Sequence, residues 1–210
     1  MRVIDCEQNS TDWYQARLGI VTSSAFADAI RQPGPRGGAP KTRQKLLYTL
    51  AGERLTGQPA ESYSNGYMDR GHEQEAEAIE TYRFLTDNDP QPVGFVRNDG
   101  LGVGPVGTSP DRLVGDDGLV EVKTKMAHLQ IELLLADRVP PEHVVQLQGQ
   151  LWVTQRAWTD FVSYCPGLPL FVKRVERDDK RIAEIKVGVE EFNQELDQLV
   201  DRIQRITKAA

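Results

Sequence analysis

The sequence predicts an α/β fold in which a mixed central β-sheet is flanked by α-helices. Two observations predict this class. Apolar residues recur at three- and four-residue steps in several long segments, and short apolar runs bounded by turn residues lie between those segments. At 210 residues the chain is long enough to bury its own core, and we expect residues 1–210 to form a single domain.

Composition is that of an ordinary globular protein. Hydrophobic residues make up 39% of the sequence and charged residues 27%. No apolar run approaches the ~20 residues that span a bilayer, and no signal peptide is recognisable, so we expect a cytosolic protein with no membrane partner. The two cysteines, Cys6 and Cys165, are too few for a disulfide framework or for an iron–sulfur cluster.

Charge is unevenly distributed along the chain. The formal net charge of −6 argues against a nucleic-acid-binding protein, because phosphate binding favours a basic surface. One segment is nevertheless basic, and its cationic residues are Arg31, Arg36, Lys41, Arg43, Lys45 and Arg54, against the single acidic residue Glu53. An acidic protein can therefore still carry a local basic surface.

The N-terminal part is predicted to hold helices separated by a glycine- and proline-rich loop. Residues 11–30 have the pattern of two helical pieces, the second capped by Thr22 or Ser23. The loop covers residues 31–41, and a further helix is predicted over 42–55.

A helix predicted over residues 69–86 carries a carboxylate on its buried side. Ala78, Ile79 and Tyr82 form its apolar stripe, and Glu75 lies on the same face. A carboxylate that faces a core is costly unless it is paired or bound to a metal. Glu75 is therefore either a site residue or a glutamate at the rim of the core.

The remaining segments alternate between strands and helices. Six strands are predicted near residues 93–97, 101–106, 110–115, 119–124, 158–165 and 169–175. A helix over 142–154 places Gln148 on its apolar face, whereas Gln146 and Gln150 fall off that face. The chain ends in helical sequence with a three–four apolar alternation and with Gly188 as a candidate break.

The stretch TSPDRLVGDDGLVEVKTK, residues 108–125, predicts a β-hairpin that carries charge on its strands. A two- or four-residue loop would place Asp111 and Glu121 on opposite faces. We predict a three-residue loop, 116–118, with a left-handed Gly118. That register pairs Asp111 with Lys123 and gives one charged face, Asp111, Glu121 and Lys123, and one apolar face, Val114, Val120 and Val122.

Clustered carboxylates on the charged face are the hard oxygen ligands that Mg²⁺ and Mn²⁺ prefer. A bound divalent ion lowers the pKa of a water molecule and stabilises charge on a phosphoryl oxygen. Lys123 would position or deprotonate the attacking water, because cations or burial lower the pKa of a lysine from ~10.4. Glu75 would complete the ligand set. The competing interpretation is a surface ion pair between Glu121 and Lys123.

Four motifs carry a family resemblance. Ser109-Pro110-Asp111 followed by Glu121-Val122-Lys123 resembles the PD-(D/E)xK nuclease motif. With three further motifs in the right order, the chain resembles the bacteriophage lambda exonuclease family of viral-type recombination nucleases over nearly its whole length. These motifs are Trp13-x-x-x-Arg17-Leu18-Gly19-Ile20-Val21-Thr22-x-Ser24, Gly71-x-x-x-Glu75, and Gln146-Leu147-Gln148 followed by Leu151-Trp152-Val153-Thr154. The resemblance implies a restriction-endonuclease-like core.

The resemblance also implies a metal site. Asp111 and Glu121 would bind metal together with the carbonyl of Val122, and Glu75 would hold a second ion or its waters. Two Mg²⁺ ions per site are implied, with Mn²⁺ as a substitute. Lys123 would activate water with help from Gln148.

Other matching positions imply contacts with DNA. The 5′-phosphate would be held by Arg17, Ser24 and Ser109, since a guanidinium and hydroxyls near a helix N-terminus are good phosphate donors. The alternatives are a surface ion pair for Arg17 and a plain cap for Ser24. Trp13 would stack on DNA ends or lie in the core. Arg31 or Arg36 would follow the phosphate backbone or minor groove, or belong to a solvated loop.

The implied activity is a Mg²⁺-dependent 5′→3′ exonuclease that digests one strand of linear double-stranded DNA with a 5′-phosphate. It would leave 3′ single-stranded overhangs for a single-strand annealing protein, and it would act as a homotrimer. Two alternatives are another nuclease of the superfamily, either an endonuclease or one of opposite polarity, and a catalytically silent scaffold that binds DNA ends. The complete set of three carboxylates and a lysine argues against the scaffold.

Overall fold

We describe the chain from a computed structural model. The description covers residues 1–32, 40–60 and 66–209, and for residues 66–73 and 207–209 it covers the backbone alone. Arg36, which the resemblance assigns to DNA binding, lies outside these ranges.

Within these ranges the chain forms nine β-strands and seven α-helices. The strands are β1 (Arg2–Ile4), β2 (Val21–Thr22), β3 (Pro90–Pro92), β4 (Phe95–Asn98), β5 (Val106–Thr108), β6 (Arg112–Val114), β7 (Gly118–Thr124), β8 (Trp158–Tyr164) and β9 (Phe171–Glu176). The helices are α1 (Thr11–Arg17), α2 (Phe26–Ala29), α3 (Lys41–Thr56), α4 (Gly66–Thr86), α5 (Ala127–Ala136), α6 (Pro141–Thr154) and α7 (Asp179–Ala209).

The strands form two mixed sheets that are flanked by helices, which confirms the predicted α/β class. We expected a single central sheet, and the β-structure is instead divided between the two. One sheet has the order β1-β4-β5-β2 and the other β3-β6-β7-β8-β9. Strands β2 and β5 pair in parallel, as do β7 and β8, and the other neighbours are antiparallel. The parallel pair β7–β8 requires a long crossover, which α5 and α6 supply.

Helix α4 covers one face of the five-stranded sheet. Its stripe of Ala78, Ile79 and Tyr82 packs on Val120 and Val122 of β7, as the three- and four-residue spacing predicts. On the opposite face, a second cluster contains residues of α5, α6, β8 and β9, namely Leu133, Leu147, Phe161 and Phe171. The two faces of β7 are thus separated by side-chain alternation.

Helix α6 lies between both sheets and is buried on nearly all sides along its second half, from Leu147 to Thr154. It packs closely against the 3₁₀ turn Ser23–Ala25 and α2, because Gly149 has no side chain there. A Cβ at Gly149 would lie 2.6 Å from the ring of Phe26. This close contact brings the N-terminal segment against α6.

Helix α7 is continuous from Asp179 to Ala209, so the expected break at Gly188 is wrong. The glycine serves packing instead, since a Cβ there would lie 2.8 Å from two carbon atoms of Ile30. The apolar seam of α7 is buried in the chain's own core as far as Leu196, and Leu199 is partly buried against the same core. Its last member, Ile206, is 58% exposed.

Several elements escaped the sequence analysis. Helix α5 was not predicted, because the run LQIELLLA is apolar on all sides and shows no helical stripe. The two- and three-residue strands β1, β2 and β3 are too short to show a period. Thr22 precedes the 3₁₀ turn in extended conformation, as expected of a cap, but its side chain makes no capping hydrogen bond.

None of the helices in the described ranges combines the length and the hydropathy that crossing a membrane would require. Cys6 and Cys165 are both free thiols.

A buried polar network joins α4 to the five-stranded sheet. The hydroxyl of Tyr82 donates a hydrogen bond of 2.7 Å to Asp160, and Arg174 holds the same carboxylate with two bonds of 2.9 Å. Burial and the hydrogen bond to Asp160 raise the pKa of Tyr82 to about 12, so its proton stays in place at neutral pH. The network therefore docks the helix that carries Glu75.

We expect Tyr82→Phe to lower the free energy of unfolding by about 1.5–3 kcal/mol, because it removes a hydrogen bond to a buried charge. Urea unfolding measures the change. Tyr48→Phe is the matched control, since Tyr48 is 56% exposed and its loss of a hydroxyl should change stability by less than about 0.5 kcal/mol. Equal effects of the two variants would contradict the role of the network.

Candidate active site

The hairpin has a three-residue loop, but not the loop that we predicted. Val114 pairs with Gly118 and Arg112 with Val120, so the loop is 115–117 and Asp111 lies opposite Glu121 rather than Lys123. The left-handed residue is Gly115, with φ of 50°, and Gly118 has no positive φ. Because the register differs by two residues, the predicted faces are preserved.

Glu121 is the centre of the charged face. It is only 3% exposed, and three side chains donate hydrogen bonds to it. Lys123 and Gln146 each donate to Oε1 at 2.6 Å, and Gln150 donates to Oε2 at 2.6 Å. A buried ion pair of this kind excludes the alternative of an exposed cross-strand pair.

Asp111 is placed beside Glu121 by a hydrogen bond to the backbone. Its Oδ2 accepts from the N–H of Val122 at 2.6 Å. Burial, and then the negative charges of Glu121 and Glu75, raise the pKa of Asp111 well above its usual value. The Val122 hydrogen bond and the charge of Lys123 offset only part of this effect. The site therefore holds more negative charge than its own cations neutralise.

Lys123 is held as an ammonium ion in this arrangement. Burial lowers its pKa, but the charge and hydrogen bond of Glu121, together with the charges of Asp111 and Glu75, outweigh burial, and the net pKa is raised. This direction is opposite to the one that we expected from burial and nearby cations. In the metal-free protein Lys123 is thus a hydrogen-bond donor rather than a base.

The structure separates Gln148, the glutamine predicted to assist Lys123, from the charged face. Gln148 is buried, but it points away from Glu121: it donates to the carbonyl of Glu176 at 2.8 Å and accepts from the N–H of Asp178 at 2.9 Å. Gln146 and Gln150, one helical turn apart, face the carboxylate instead. Their i, i+4 spacing was the available signal. It was missed because only one face of α6 was expected to be buried.

Glu75 lies near the site but not among its first contacts. It is about one quarter exposed, and it pairs with Arg112 at 3.0 Å. Arg112 lies opposite Val120 and therefore shares the α4 face of the sheet, whereas Asp111 and Glu121 share the other face. The charge of Glu75 still reaches Asp111 and contributes to its raised pKa. Arg112 itself was not singled out from the sequence.

The charged face fits a hard divalent cation. In the part of the chain that the structure describes, no three carboxylate, imidazole or thiolate groups are close enough to form a metal site by themselves. Mg²⁺ does not require three, because it commonly uses one or two carboxylates and retains several waters. Asp111 and Glu121 provide that number, and the negative charges of Glu121 and Glu75, which act with burial to raise the pKa of Asp111, would stabilise a cation there.

A pocket of about 370 Å³ lies at the N-terminal segment and is lined by Trp13, Arg17, Thr22 and Ser24, among others. The guanidinium of Arg17 lies 3.8 Å from the centre of the Trp13 ring, and it donates to Thr22 at 3.4 Å. The hydroxyls of Thr22 and Ser24 are 3.2 Å apart. The indole N–H of Trp13 donates to the hydroxyl of Ser109 at 2.8 Å. The structure therefore brings together the predicted residues Trp13, Arg17, Ser24 and Ser109.

Arg17 is available to an anion. Burial lowers its pKa to about 10, so it stays charged at neutral pH. No carboxylate in the described ranges forms an ion pair with it, which removes the predicted alternative of a surface salt bridge. Ser24 is exposed, and its hydroxyl faces Thr22 rather than a helix end. Arginine and hydroxyl donors in one pocket suit a phosphate group.

The pocket and the charged face are joined by a short segment of chain. Ser109 contacts Trp13, and Asp111, two residues later, contacts Val122. Pro110 lies between them, and the side chain of Gln8 donates to its carbonyl at 3.0 Å. Arg31 is remote from this segment in its contacts: it is exposed, donates to Thr42 at 3.2 Å and lies 3.7 Å from Asp28.

Comparison with protein families and solved structures gives clear matches. The model of the YqaJ-like viral recombinase domain matches residues 12–157. The alkaline exonuclease LHK-Exo from Laribacter hongkongensis is 36% identical, with a TM-score of 0.83, over 96% of this chain and 100% of that chain. For the structure of LHK-Exo in complex with dAMP, the sequence identity is 37% and the TM-score is 0.85, with the same coverage of both chains. The search of curated proteins gave no significant match.

A more distant structure shows the fold alone. The phage-related exonuclease from Haemophilus somnus 129PT is 18% identical, with a TM-score of 0.64, over 88% of this chain and 96% of that chain. The restriction-endonuclease-like fold and the resemblance to lambda exonuclease are thereby confirmed, and the matches support a nuclease function. The family model spans more than half of the chain, and the chain therefore belongs to the family of the YqaJ-like viral recombinase domain.

Proposed function

We propose that this protein is a divalent-metal-dependent 5′→3′ exonuclease that digests one strand of linear double-stranded DNA, with residues 1–210 as one nuclease domain. One observation carries the proposal: the buried Glu121, held by Lys123, Gln146 and Gln150, lies opposite Asp111 on one face of a hairpin. The similarity to LHK-Exo, an alkaline exonuclease, supports the same reaction class.

Asp111, Glu121 and the carbonyl of Val122 are the proposed metal ligands. Glu75 is kept as a candidate ligand for a second ion or its waters, because its charge reaches Asp111. A bound Mg²⁺, or Mn²⁺ in its place, supplies Lewis-acid stabilisation of the phosphoryl group and a water of lowered pKa. The hydrogen bond from Val122 to Asp111 fixes the orientation of that carboxylate toward Glu121.

The chain's own residues orient the reactants. Gln146 and Gln150 fix the plane of the Glu121 carboxylate by bonding one oxygen each. The resemblance assigns Lys123 the activation of the attacking water; as an ammonium ion, it is proposed to orient that water as a hydrogen-bond donor and to stabilise charge on the phosphate. Gln148, which the resemblance paired with Lys123, is assigned no contact with the reactants.

The polarity rests on the pocket that Trp13, Arg17 and Ser24 line, with Ser109 hydrogen-bonded to the indole of Trp13. A terminal 5′-phosphate carries more charge than an internal one, and the guanidinium of Arg17 stays charged without forming an ion pair in the described ranges. Binding of that phosphate would place the first phosphodiester at the charged face, because Ser109 and Asp111 are close in the chain. Arg31 and Arg36 are kept as candidate contacts to the DNA backbone.

The resemblance to the lambda exonuclease family supports the wider setting of the proposal. We propose a homotrimer in the cytosol that leaves 3′ overhangs for a single-strand annealing protein. An endonuclease of the same superfamily is the nearest alternative, and the pocket for a strand end favours an exonuclease.

On 5′-phosphorylated linear duplex with Mg²⁺, we expect wild-type protein to release label from the 5′ end and to leave closed circular DNA intact. Asp111→Asn and Lys123→Ala should each reduce the rate about 100-fold or more. Asp116→Asn, an exposed carboxylate on the hairpin loop, is the control and should be as active as wild type. Full activity in all variants would exclude this site, and digestion from 3′ ends would overturn the polarity.

The two kinds of glutamine on α6 should differ in their effects. Gln150→Leu removes a hydrogen bond to a buried carboxylate and should lower kcat about 10- to 100-fold. Gln148→Leu removes bonds to the backbone at Glu176 and Asp178, so it should lower the melting temperature and retain kcat below it. The reverse pattern, with Gln148→Leu folded and inactive, would return the assisting role to Gln148.

The pKa of Asp111 predicts how stability depends on pH in the presence of a chelator. Because the folded-state pKa is raised, the ionised carboxylate destabilises the protein above that pKa, and the penalty disappears as pH falls below its unfolded value. Asp111→Asn should therefore be more stable than wild type near pH 8, and the two should converge near about pH 4. Added Mg²⁺ should stabilise wild type more than the variant in thermal unfolding. If the free energies of unfolding of the two proteins changed in parallel with pH, the raised pKa of Asp111 would be contradicted.

A further inference from the structure

Residues of α1, β2 and α3 line the pocket that holds Arg17, and two irregular stretches of chain complete its walls. One of these walls is the turn between α1 and β2, where Ile20 lines the pocket next to Gly19 in the chain. The other wall contains Pro59 and Ala60, which follow α3. Neither wall is a regular element, so each needs contacts from elsewhere to keep its position.

The turn at Gly19 is defined closely by α3. Gly19 is left-handed, with φ of 64°, and a Cβ there would overlap the side chain of Arg54. The Nε of Arg54 donates to the carbonyl of Gly19 at 2.7 Å, and Arg54 also pairs with Asp197 of α7. The carbonyl side of the turn is thus tied to the helical core.

Glu53 binds the N–H of Gly19 in the same turn, and it connects this turn to the second wall, which contains Pro59 and Ala60. Its Oε2 accepts from the N–H of Gly19 at 2.7 Å, and its Oε1 accepts from the N–H of Ala60 at 3.0 Å. One carboxylate therefore connects both walls of the pocket through backbone donors. Hydrogen bonds to an ionised acceptor are about twice as strong as neutral ones.

The backbone bonds also hold Glu53 away from an ion pair with Arg17, although the charge of Glu53 still acts to raise the pKa of that guanidinium. Both side chains line the pocket, but no ion pair forms between them in the described ranges. The carboxylate is directed to the two N–H groups instead. Arg17 thus remains free for a phosphate, although a carboxylate lies in the same pocket.

We propose that Glu53 is the positioning residue of the terminal-phosphate pocket: by bridging Gly19 and Ala60 it fixes the spacing of the two walls and so determines the preference for a 5′-phosphate. It does not touch the phosphate, and it acts through the turn that carries Arg17 and Ser24. This inference rests on the proposed function, because it assigns the pocket to a strand end.

The test is the ratio of affinities for 5′-phosphorylated and 5′-hydroxyl linear duplex, measured by fluorescence anisotropy in a chelator. The same ratio in kcat/KM is then measured with Mg²⁺. Wild type should prefer the phosphorylated end. Glu53→Gln keeps the size of the side chain but replaces one acceptor with a donor, so it should reduce the preference about 10-fold. This reduction should come from KM, with kcat on phosphorylated DNA retained.

Asp197→Asn is the matched control. It removes the ion pair of Arg54 but leaves both Glu53 hydrogen bonds, so it should keep the wild-type preference. Glu53→Asp retains the charge, and its shorter reach should also reduce the preference. This second variant keeps the test valid where Glu53→Gln does not fold.

The outcomes separate the inference from the proposed function. The positioning role of Glu53 would be overturned if its folded variants kept the wild-type preference for the 5′-phosphorylated duplex. It would also be overturned if they lost affinity equally for the 5′-phosphorylated and the 5′-hydroxyl duplex. No preference in wild type would overturn the phosphate pocket and the inference with it. Because binding needs no catalysis, an inactive protein with the expected affinities would contradict the exonuclease proposal and still support the role of Glu53.

Discussion

The buried carboxylate of Glu121 is the constraint on which the rest of this structure depends. A charge that is almost excluded from water in the middle of a sheet is costly unless donors surround it. Here the donors come from the next residue on the same face, Lys123, and from one side of α6. The crossover between β7 and β8 must therefore bring α6 over this strand. Its helical path places the amides of Gln146 and Gln150 against the two oxygens.

Whether the sequence predicts this site depends on whether the hairpin loop has an odd or an even number of residues. Side chains alternate along a strand, so any odd-numbered loop leaves Asp111 and Glu121 on one face, and the faces were predictable even with a wrong register. The register itself was not, because both ends of the loop are glycines. Gly115 supplies the left-handed turn, whereas Gly118 is a glycine because a side chain would overlap Trp158. A local turn rule cannot detect that distant indole.

The partners of the buried polar side chains on the helices were harder to predict, because they too depend on distant parts of the chain. An apolar stripe identifies one buried face, but α6 is buried on nearly all sides, so Gln148 and Gln150 are both inside and serve different partners. The charge of Glu75 reaches Asp111, yet the pairing of Glu75 with Arg112 depends on the position of β6, which only the folded sheet provides. The class of fold and the charged face needed no such long-range information, whereas the cluster around Arg17 followed from the family resemblance and not from the local pattern.

The link from Ser109 to Asp111 has a consequence for the length of what is removed. Two residues span at most about 7 Å, and the proline between them restricts the backbone further. Trp13 anchors one end of this segment and Val122 the other. A strand end bound next to Ser109 would therefore lie at a fixed distance from the carboxylates of Asp111 and Glu121, because the covalent geometry of the chain sets the separation of Ser109 and Asp111. On the proposed function, the size of each excised fragment would then be a property of the peptide chain itself, independent of DNA sequence.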